Sequence, residues 1–353
     1  MDCFDCEGRS LAYEELLGRS EWTVAQTEWS SAGELGPVLV TGAAGSIGRA
    51  FIGKLIETGV PVVALDSDET RLHALALDFS IVRDRCVLAD IADEEQVDAA
   101  LNQFQPSTVV HLAAKKHVVF TERAVRATVN TNIGGSLAVI GAAGRCTAVR
   151  RLVIASSDKV VEARSVLGQS KRIVELLAGG FSTTWSGVVS VVRFCNILGT
   201  GGGVLDHFVH CALRGEPLMV WSSDMSRYFA SLNEAVALLL VATYKQPRSG
   251  TITLDPGEPI NILELARNVV VQLHDVYPRI SISECFDSVH ARHERLWGDQ
   301  ERVAPLSSLP RVLAVERPIG DFASSRQRAK GLIESNGSDL ELRRMLYEFA
   351  QQW

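Results

Sequence analysis

Three groups that could move protons stand side by side at Ser157, Asp158 and Lys159, where the apolar run RLVIASS ends. A carboxyl group that stays protonated can act as a general acid, and a neutral amine can act as a general base. This division of roles requires a raised pKa for Asp158 and a lowered pKa for Lys159. Burial would favour both shifts, and the mutual attraction of the two side chains would oppose them. A purely structural ion pair is the alternative interpretation.

The elements around these residues follow a regular alternation. From residue 37 onward, apolar runs of five to seven residues alternate with amphipathic stretches. Continuous apolar strands separated by helices are typical of a parallel sheet that is covered on both faces. The sequence therefore predicts an α/β protein with a doubly wound parallel sheet. Strands are predicted at PVLVT, VPVVALD, RCVLAD, STVVHLA, RLVIASS and GVVSVVRF, and helices at 69–78, 94–104, about 122–143 and 166–177.

A glycine pattern, VLVTGAAGSIG, lies between the first strand and the first long helix. Gly42 allows a sharp turn, Gly45 leaves room for a pyrophosphate, and Gly48 allows close packing of the helix, whose free N–H groups attract the anion. Asp66 ends the second strand, where a carboxylate can bind ribose hydroxyls and repel a 2′-phosphate. NAD is therefore predicted rather than NADP, although Arg71 could bind such a phosphate from the following helix.

Further contacts with the cofactor are predicted near the ends of the first, third and fourth strands. Asp90 could face the adenine edge or simply cap the next helix. Lys115, Lys116 and His117 could contact phosphate or ribose, or could be loop residues in solvent. The remaining predicted cofactor contacts are Ser46, Ile47, Ile91, Ala113, Ala114 and Asn130.

Three regions follow from this reading: an N-terminal extension at 1–35, an NAD-binding Rossmann domain at 36–195, and a smaller substrate-binding lobe at 196–353 that is interleaved with the sheet. The net charge of −7 argues against a nucleic-acid partner. The apolar runs are shorter than the ~20 residues that span a bilayer, so no membrane contact is expected. The seven cysteines are an odd number and fit reduced thiols better than disulfides, so a cytoplasmic protein is expected. The sequence contains no recognisable set of metal ligands.

Several motifs together resemble the polysaccharide-biosynthesis group of extended short-chain dehydrogenases, which includes UDP-N-acetylglucosamine 4,6-dehydratases. They are LLGR at 16–19, TGAAGSIG, HLAAKKHV, SSDKVV, LGQSKR, VRFCNILG, DMSRYF and GEPINILELA. The resemblance implies that Lys171 binds the nicotinamide ribose, with Asp158 as acid and Lys159 as base. It also implies a homodimer formed through the helices at about 122–143 and 166–178.

The chain departs from the family at three places. Leu167 stands where extended short-chain dehydrogenases have a catalytic Tyr and this family often has Met, so the apolar residue is a small departure and no phenol can take the substrate proton there. Glu162 and Ala163 replace a usual Asn-Pro, and residues 292–296 keep the family's acidic residue at Glu294. The resemblance further implies a substrate site, with Arg227 facing a diphosphate unless it forms a surface ion pair. The implied substrate contacts are Lys116, His117, Asn196, Arg227 and Glu294.

The expected function is a nucleotide-sugar 4,6-dehydratase that acts on a substrate like UDP-N-acetylglucosamine. In the implied reaction, NAD would take a hydride from C4, and the resulting ketone would acidify the C5 proton for removal by Lys159. Asp158 would then assist departure of the C6 hydroxyl, and the hydride would return to C6, which regenerates NAD. An NAD-dependent epimerase or oxidoreductase on a related sugar nucleotide or nucleoside is the first alternative. A non-catalytic dinucleotide-binding sensor is the second, although it would have no need of the acid and base pair.

Overall fold

The computed structural model describes residues 11–24, 36–273, 278–283, 289–306 and 309–351. Most of the predicted N-terminal extension therefore lies outside the described residues. The strands are β1 (Val38–Thr41), β2 (Val62–Asp66), β3 (Cys86–Leu88), β4 (Thr108–His111), β5 (Arg151–Ser157), β6 (Val188–Phe194), β7 (Asn196–Ile197), β8 (Leu218–Val220), β9 (Ser226–Arg227), β10 (Phe229–Ala230), β11 (Gly250–Leu254), β12 (Ile260–Asn261), β13 (Ile280–Ile282), β14 (Arg302–Leu306) and β15 (Leu309–Glu316).

The helices cover both faces of the central sheet and build the small lobe. They are α1 (Tyr13–Leu17), α2 (Ser46–Glu57), α3 (Glu69–Asp78), α4 (Glu94–Phe104), α5 (Val118–Arg123), α6 (Val125–Thr128), α7 (Ser136–Arg145), α8 (Val166–Ser182), α9 (Val204–Leu213), α10 (Leu232–Tyr244), α11 (Ile262–Gln272), α12 (Phe322–Glu334) and α13 (Asp339–Ala350). Short 3-10 helices lie at Ser80–Arg85 and Asp158–Val160, and a π-helical segment at Val129–Gly135.

The central sheet has nine strands in the order β14-β15-β11-β6-β5-β4-β1-β2-β3. The strands from β11 to β3 run parallel, and the chain reverses its direction of travel across the sheet between β1 and β4. Such a reversal opens a crevice at the carboxyl ends of the strands, where open α/β sheets bind ligands. The predicted doubly wound fold is confirmed, and the antiparallel hairpin of β14 and β15 extends it at one edge.

One uninterrupted helix was predicted at 122–143, and this is wrong. The chain instead ends α5 at Arg123 and then forms α6, the π-helical segment and α7 in succession. The interruption lies at Ala124, whose φ of −130° and ψ of 58° are not helical. The π-helical segment also lies close to the loop after β3. A Cβ at Gly135 would lie 2.5 Å from Ile91 Cδ1, so the backbone of the π-helical segment packs directly on that side chain. A π-helical insertion shifts the residues that follow to a different face of the helix.

Two apolar layers enclose the sheet. One contains α2, α3 and α10, and the other contains α4, α7 and α8 together with the C-terminal helices α12 and α13. Every residue from 166 to 178 in α8 is buried, because α12 and α13 of the same chain cover this helix. The dimer contact expected through 166–178 is therefore not open in this structure.

A third apolar cluster forms the core of the small lobe. It joins α9, α11 and β8 to Leu16 and Leu17 of α1, so the start of the described chain is part of this core. In the described segments, no helix combines the length and the apolar character that crossing a bilayer requires.

Candidate active site

The predicted acid and base lie at the carboxyl end of β5, in the short 3-10 helix that follows it. The side chain of Asp158 has 0% exposure. The Ser157 hydroxyl donates to Asp158 Oδ1 at 2.9 Å, and Lys159 Nζ lies 3.2 Å from the same oxygen. The other oxygen, Asp158 Oδ2, is buried and has no hydrogen-bond partner within the described part of the chain. Ser157 and Lys159 therefore hold one carboxylate oxygen, whereas the buried Oδ2 accepts no hydrogen bond from the described chain, and a proton on this carboxyl would be shared with Glu294.

A third charged group completes this arrangement. Glu294 Oε1 lies 3.0 Å from Lys159 Nζ. Asn196 links the same two side chains, because its Oδ1 accepts from Lys159 Nζ at 3.1 Å and its Nδ2 donates to Glu294 Oε2 at 2.9 Å. The sequence predicted Asn196 and Glu294 as substrate contacts and missed their contact with the base. The only sequence signal for it was that Glu294 persists in an altered segment.

The charges of this cluster set the protonation of its members. Burial and, after it, the Glu294 carboxylate raise the pKa of Asp158 to about 7, against the opposing effect of the Lys159 ammonium. Burial alone would lower the pKa of Lys159, but the carboxylates of Asp158 and Glu294 outweigh burial and raise it. Burial would raise the pKa of Glu294, but Lys159 and Arg227 hold it well below its usual range.

The raised pKa that the acid role requires of Asp158 is therefore present, whereas the lowered pKa that the base role requires of Lys159 is not. Two carboxylates surround the ammonium group, and the sequence showed only one of them. In the resting site, Asp158 can be neutral near pH 7, whereas Lys159 is protonated and Glu294 is ionised.

Lys171 and Leu167 lie on the first turns of α8, behind the acid and base. Lys171 is buried, and its Nζ donates to Ala155 O at 2.9 Å. Burial lowers the pKa of Lys171 to about 8, and the Glu175 carboxylate opposes that shift. Leu167 is also buried, so the position of the missing phenol is filled by packed apolar atoms.

The glycine motif at residues 42–48 forms a close-packed loop at the start of α2, the cradle for the cofactor's pyrophosphate that the sequence predicted. Gly42 has a φ of 67°, and a Cβ on it would lie 2.7 Å from Ala113 N. A Cβ on Gly48 would lie 2.3 Å from Gly42 O, so α2 begins directly against the end of β1. Asp66 accepts from Ala44 N at 2.9 Å and thereby stands beside the cradle. This arrangement fits a dinucleotide, because it combines free N–H groups at a helix start with a carboxylate one strand away.

Ser46 and Ile47 are the first two residues of α2, and Ala114 follows Ala113 after β4. Lys115 is exposed, and Asn132 holds its backbone by accepting from Lys115 N at 2.8 Å and donating to Lys115 O at 3.1 Å. The predicted contact Asn130 is exposed, two residues earlier in the π-helical segment. Sequence reasoning missed Asn132, because the π-helical geometry that buries it leaves no apolar period in the sequence.

Asp90 and Arg71 have local partners. Asp90 is exposed and accepts from Ala92 N at 2.9 Å, whereas Asp93 caps α4. Asp90 therefore does not cap the next helix, although Ile91 beside it is buried. Arg71 is exposed and pairs with Asp68, the N-cap of its own helix.

A glycine-rich loop at 199–203 lies across the cradle. Ser46 Oγ donates to Thr200 O at 2.7 Å, and Lys116 Nζ donates to the same carbonyl at 2.9 Å. A Cβ on Gly202 would lie 2.7 Å from His117 Cε1. Lys116 and His117 therefore contact the loop that separates the cradle from the small lobe.

Arg227 is directed at the segment that carries Glu294. Its guanidinium donates to Ala291 O at 2.7 Å and to Arg292 O at 2.9 Å, and its Nε lies 3.3 Å from Glu294 Oε1. The side chain is 9% exposed, so its pairing is not the surface ion pair considered from the sequence. In this conformation Arg227 holds the 291–294 backbone in place.

The acid, the base and Glu294 line one cleft. Its lining includes Asp158, Lys159 and Glu294, together with Val118, Ser165 and His290. Over the residues that the structure describes, no group of three His, Cys, Asp or Glu side chains is arranged to hold a metal ion. The cleft can therefore supply a neutral carboxyl, an ammonium and a carboxylate to one bound molecule.

Known proteins share these motifs and this fold. A family model described as "Polysaccharide biosynthesis protein" matches residues 38–291. The capsular polysaccharide biosynthesis protein CapD of Staphylococcus aureus is 30% identical over 269 residues, which are 74% of this chain and 45% of CapD. The chain spans about half the length of the first curated relatives that it matches.

Two solved structures show the same fold. Pen from Bacillus thuringiensis has a TM-score of 0.72 and 23% identity, covering 89% of this chain and 98% of Pen. MoeE5 in complex with UDP-glucuronic acid and NAD has a TM-score of 0.63 and 24% identity, covering 75% of this chain and 90% of MoeE5. The resemblance seen in the motifs is confirmed by the family match, and the chain belongs to the polysaccharide biosynthesis protein family.

Proposed function

We propose that this protein is a nucleotide-sugar 4,6-dehydratase that acts on a substrate like UDP-N-acetylglucosamine. The observation that carries the proposal is the buried carboxyl of Asp158, whose pKa is raised to about 7. Its Oδ2 accepts no hydrogen bond from the described chain, and the residue lines a cleft together with Lys159 and Glu294. A protonated carboxyl in that position can donate to a departing hydroxyl group.

NAD is the proposed cofactor. The cradle at Gly42, Gly45 and Gly48 would hold the pyrophosphate, and Asp66 would bind ribose hydroxyls and disfavour a 2′-phosphate. When bound, NAD supplies a reversible hydride acceptor for the sugar. Lys171 would fix the nicotinamide side by hydrogen bonding, after giving up or sharing its contact with Ala155 O. The complex of MoeE5 with NAD supports this assignment.

The residues of the chain divide the proton transfers. Asp158 donates from Oδ2 to the hydroxyl that leaves C6. Lys159 takes the C5 proton only after its pKa falls, because two carboxylates keep its amine protonated at rest. A sugar hydroxyl that takes the place of Lys159 against Glu294 would remove one of these stabilising charges. Substrate binding would thereby lower the pKa of Lys159, so that its amine can act as the base.

An epimerase or simple oxidoreductase on a related sugar nucleotide is the second candidate. The protonated state of Lys159 favours it, because a permanently charged amine cannot remove a C5 proton. The buried acid favours the dehydratase, since neither hydride transfer nor C4 epimerisation expels a hydroxyl group.

Mass spectrometry separates these candidates. The purified protein with NAD is incubated with UDP-N-acetylglucosamine in D2O. Loss of one water together with entry of one deuterium identifies dehydration. Deuterium at C5 without loss of water identifies exchange or epimerisation at that carbon, and an inverted C4 configuration by NMR without deuterium identifies a C4 epimerase; with either result the dehydratase proposal fails. Retained NAD binding with no reaction on a panel of sugar nucleotides supports the non-catalytic sensor.

A further inference from the structure

A buried arginine supports the backbone that carries the acid and base. Arg172, on α8, is 6% exposed. Its Nε donates to Val160 O at 2.7 Å, and its terminal amine donates to Val161 O. These are the carbonyls at the end of the 3-10 helix that begins with Asp158. The planar fork of a guanidinium fixes the directions of its hydrogen bonds, which a lysine would not do.

The same guanidinium contacts the end of the chain's last helix. Arg172 Nη1 donates to Ala350 O at 3.3 Å, and Ala350 is the last residue of α13. The carbonyls at a helix C-terminus carry partial negative charge, which favours a cation there. The Arg172 side chain therefore lies between residues 158–161, the catalytic turn, and the C-terminus of α13.

A second contact joins α13 to the other end of the catalytic segment. Arg343 on α13 pairs with Glu122, and Glu122 accepts from Val166 N at 2.7 Å at the start of α8. The turn itself has little room to move, because a Cβ on Gly168 would lie 2.4 Å from Lys159 O. The backbone from the catalytic turn to α8 is thus held at both ends by side chains that reach α13.

We propose that Arg172 is a positioning residue for Asp158 and Lys159, and that α13 is the fixed support against which it works. The effect on rate rests on the proposed dehydratase function, whereas the effect on the Asp158 carboxyl does not. Loss of the guanidinium fork lets the turn shift and admits water to Asp158. The carboxyl then titrates at a lower pH than in the unaltered protein.

The test compares Arg172→Lys with Arg151→Lys in the full-length protein with NAD. Arg151 lies at the opposite end of β5 and also donates to two backbone carbonyls, Ala242 O at 3.1 Å and Gln246 O at 2.9 Å. Both variants remove a guanidinium that donates to main-chain carbonyls, through Nη1 alone in Arg151, but only Arg172 contacts residues 158–161. We expect a similar drop in Tm for both, and at least a tenfold lower kcat only for Arg172→Lys.

The readout that needs no substrate is the titration of the Asp158 carboxyl. It is followed by infrared difference spectra against Asp158→Asn. The groups that face this carboxyl are Ser157, Lys159, Glu294 and Cys195, and all of them are unchanged in the two lysine variants. We expect the titration to move to lower pH in Arg172→Lys and to stay in place in Arg151→Lys.

An unchanged Asp158 titration in Arg172→Lys overturns the inference, as does an equal loss of kcat in both variants. If the unaltered protein dehydrates no sugar nucleotide, the proposed function fails, and the infrared titration alone decides the role of Arg172. If Arg172→Lys does not fold, Arg343→Gln replaces it, because this side chain is 37% exposed and its loss weakens the α13 support from the surface. A smaller shift in the same direction is then expected, and no shift overturns the inference.

Discussion

Glu294 Oε1 lies 3.0 Å from Lys159 Nζ, although the chain completes β6 and most of the small lobe between the two residues. The contact places a second carboxylate on the ammonium that was expected to be paired with Asp158 alone. It raises the pKa of Lys159 and, through repulsion, also raises that of Asp158. Glu294 therefore favours the proton on both members of the acid and base pair.

Glu294→Gln tests this role. Removing the negative charge lowers the pKa of Asp158, so a reaction that needs the protonated carboxyl loses activity at a lower pH. The expected result is a shift of the alkaline limb of kcat toward lower pH. Glu264→Gln is the control, because Glu264 forms an exposed ion pair on α11. A profile that is identical for Glu294→Gln and the unaltered protein would remove Glu294 from the acid and base site.

Lys159→Met removes the proposed base. Methionine fills a similar length without an amine, so exchange of the C5 proton with solvent should fall by about 10²-fold or more, which is the usual contribution of a general base. Affinity for NAD should stay nearly constant, because the cradle lies on β1 and α2. The measurement is deuterium incorporation by NMR, with NAD binding measured in parallel. Exchange at the normal rate would show that another group is the base.

Asp158→Asn should change the dependence of stability on pH. The folded pKa of Asp158 is about 7 and the ordinary value is 3.8, so the folded state binds the proton more tightly than the unfolded state. Ionisation therefore destabilises the protein increasingly as pH rises from about 4 to about 7, and this cost is absent below that window. Asparagine does not ionise, so the variant does not lose this stability as the pH rises.

Urea unfolding of both proteins at about pH 5 and about pH 8 measures this difference. The variant should gain in free energy of unfolding relative to the unaltered protein at the higher pH. An equal difference at both pH values would mean that the carboxyl of Asp158 is not held neutral by the fold.

Two glycine variants distinguish packing from cofactor binding. Gly48→Ala places a methyl group 2.3 Å from the carbonyl oxygen of Gly42, so the cradle must distort and the Tm should fall. Gly45 has a φ of −70°, and its Cβ would meet only Gly42 O at 3.2 Å. Gly45→Ala should therefore fold but lose at least tenfold in NAD affinity, as measured by calorimetry. Unchanged affinity would place the pyrophosphate elsewhere.

The sequence predicted the parts of the structure that depend on local pattern. The continuous apolar strands and the glycine motif require a covered parallel sheet and a dinucleotide cradle, and α3 and α4 have the predicted bounds. Patterns of this kind repeat within one element, so composition and period are sufficient to find them.

Features that depend on contacts across the chain were missed. Arg193 on β6 is fully buried between Glu175 of α8 and Glu301, at 3.0 Å and 2.8 Å. Each of these residues looks like an ordinary surface charge in sequence. The sequence also left open which effect sets the pKa of Lys159, because the second carboxylate beside it comes from a distant segment. Asn132 was missed because a π-helical turn breaks the period from which its face would be inferred.

The most direct test of the proposed chemistry is the mass of the product formed in D2O by the NAD-loaded protein and by Asp158→Asn. The unaltered protein should convert UDP-N-acetylglucosamine into a species that has lost one water and gained one deuterium at C5. Asp158→Asn should retain exchange at C5 with water loss reduced by about 10²-fold, because only the acid is missing. Water loss at an equal rate in both proteins would contradict the assignment of the buried carboxyl as the acid.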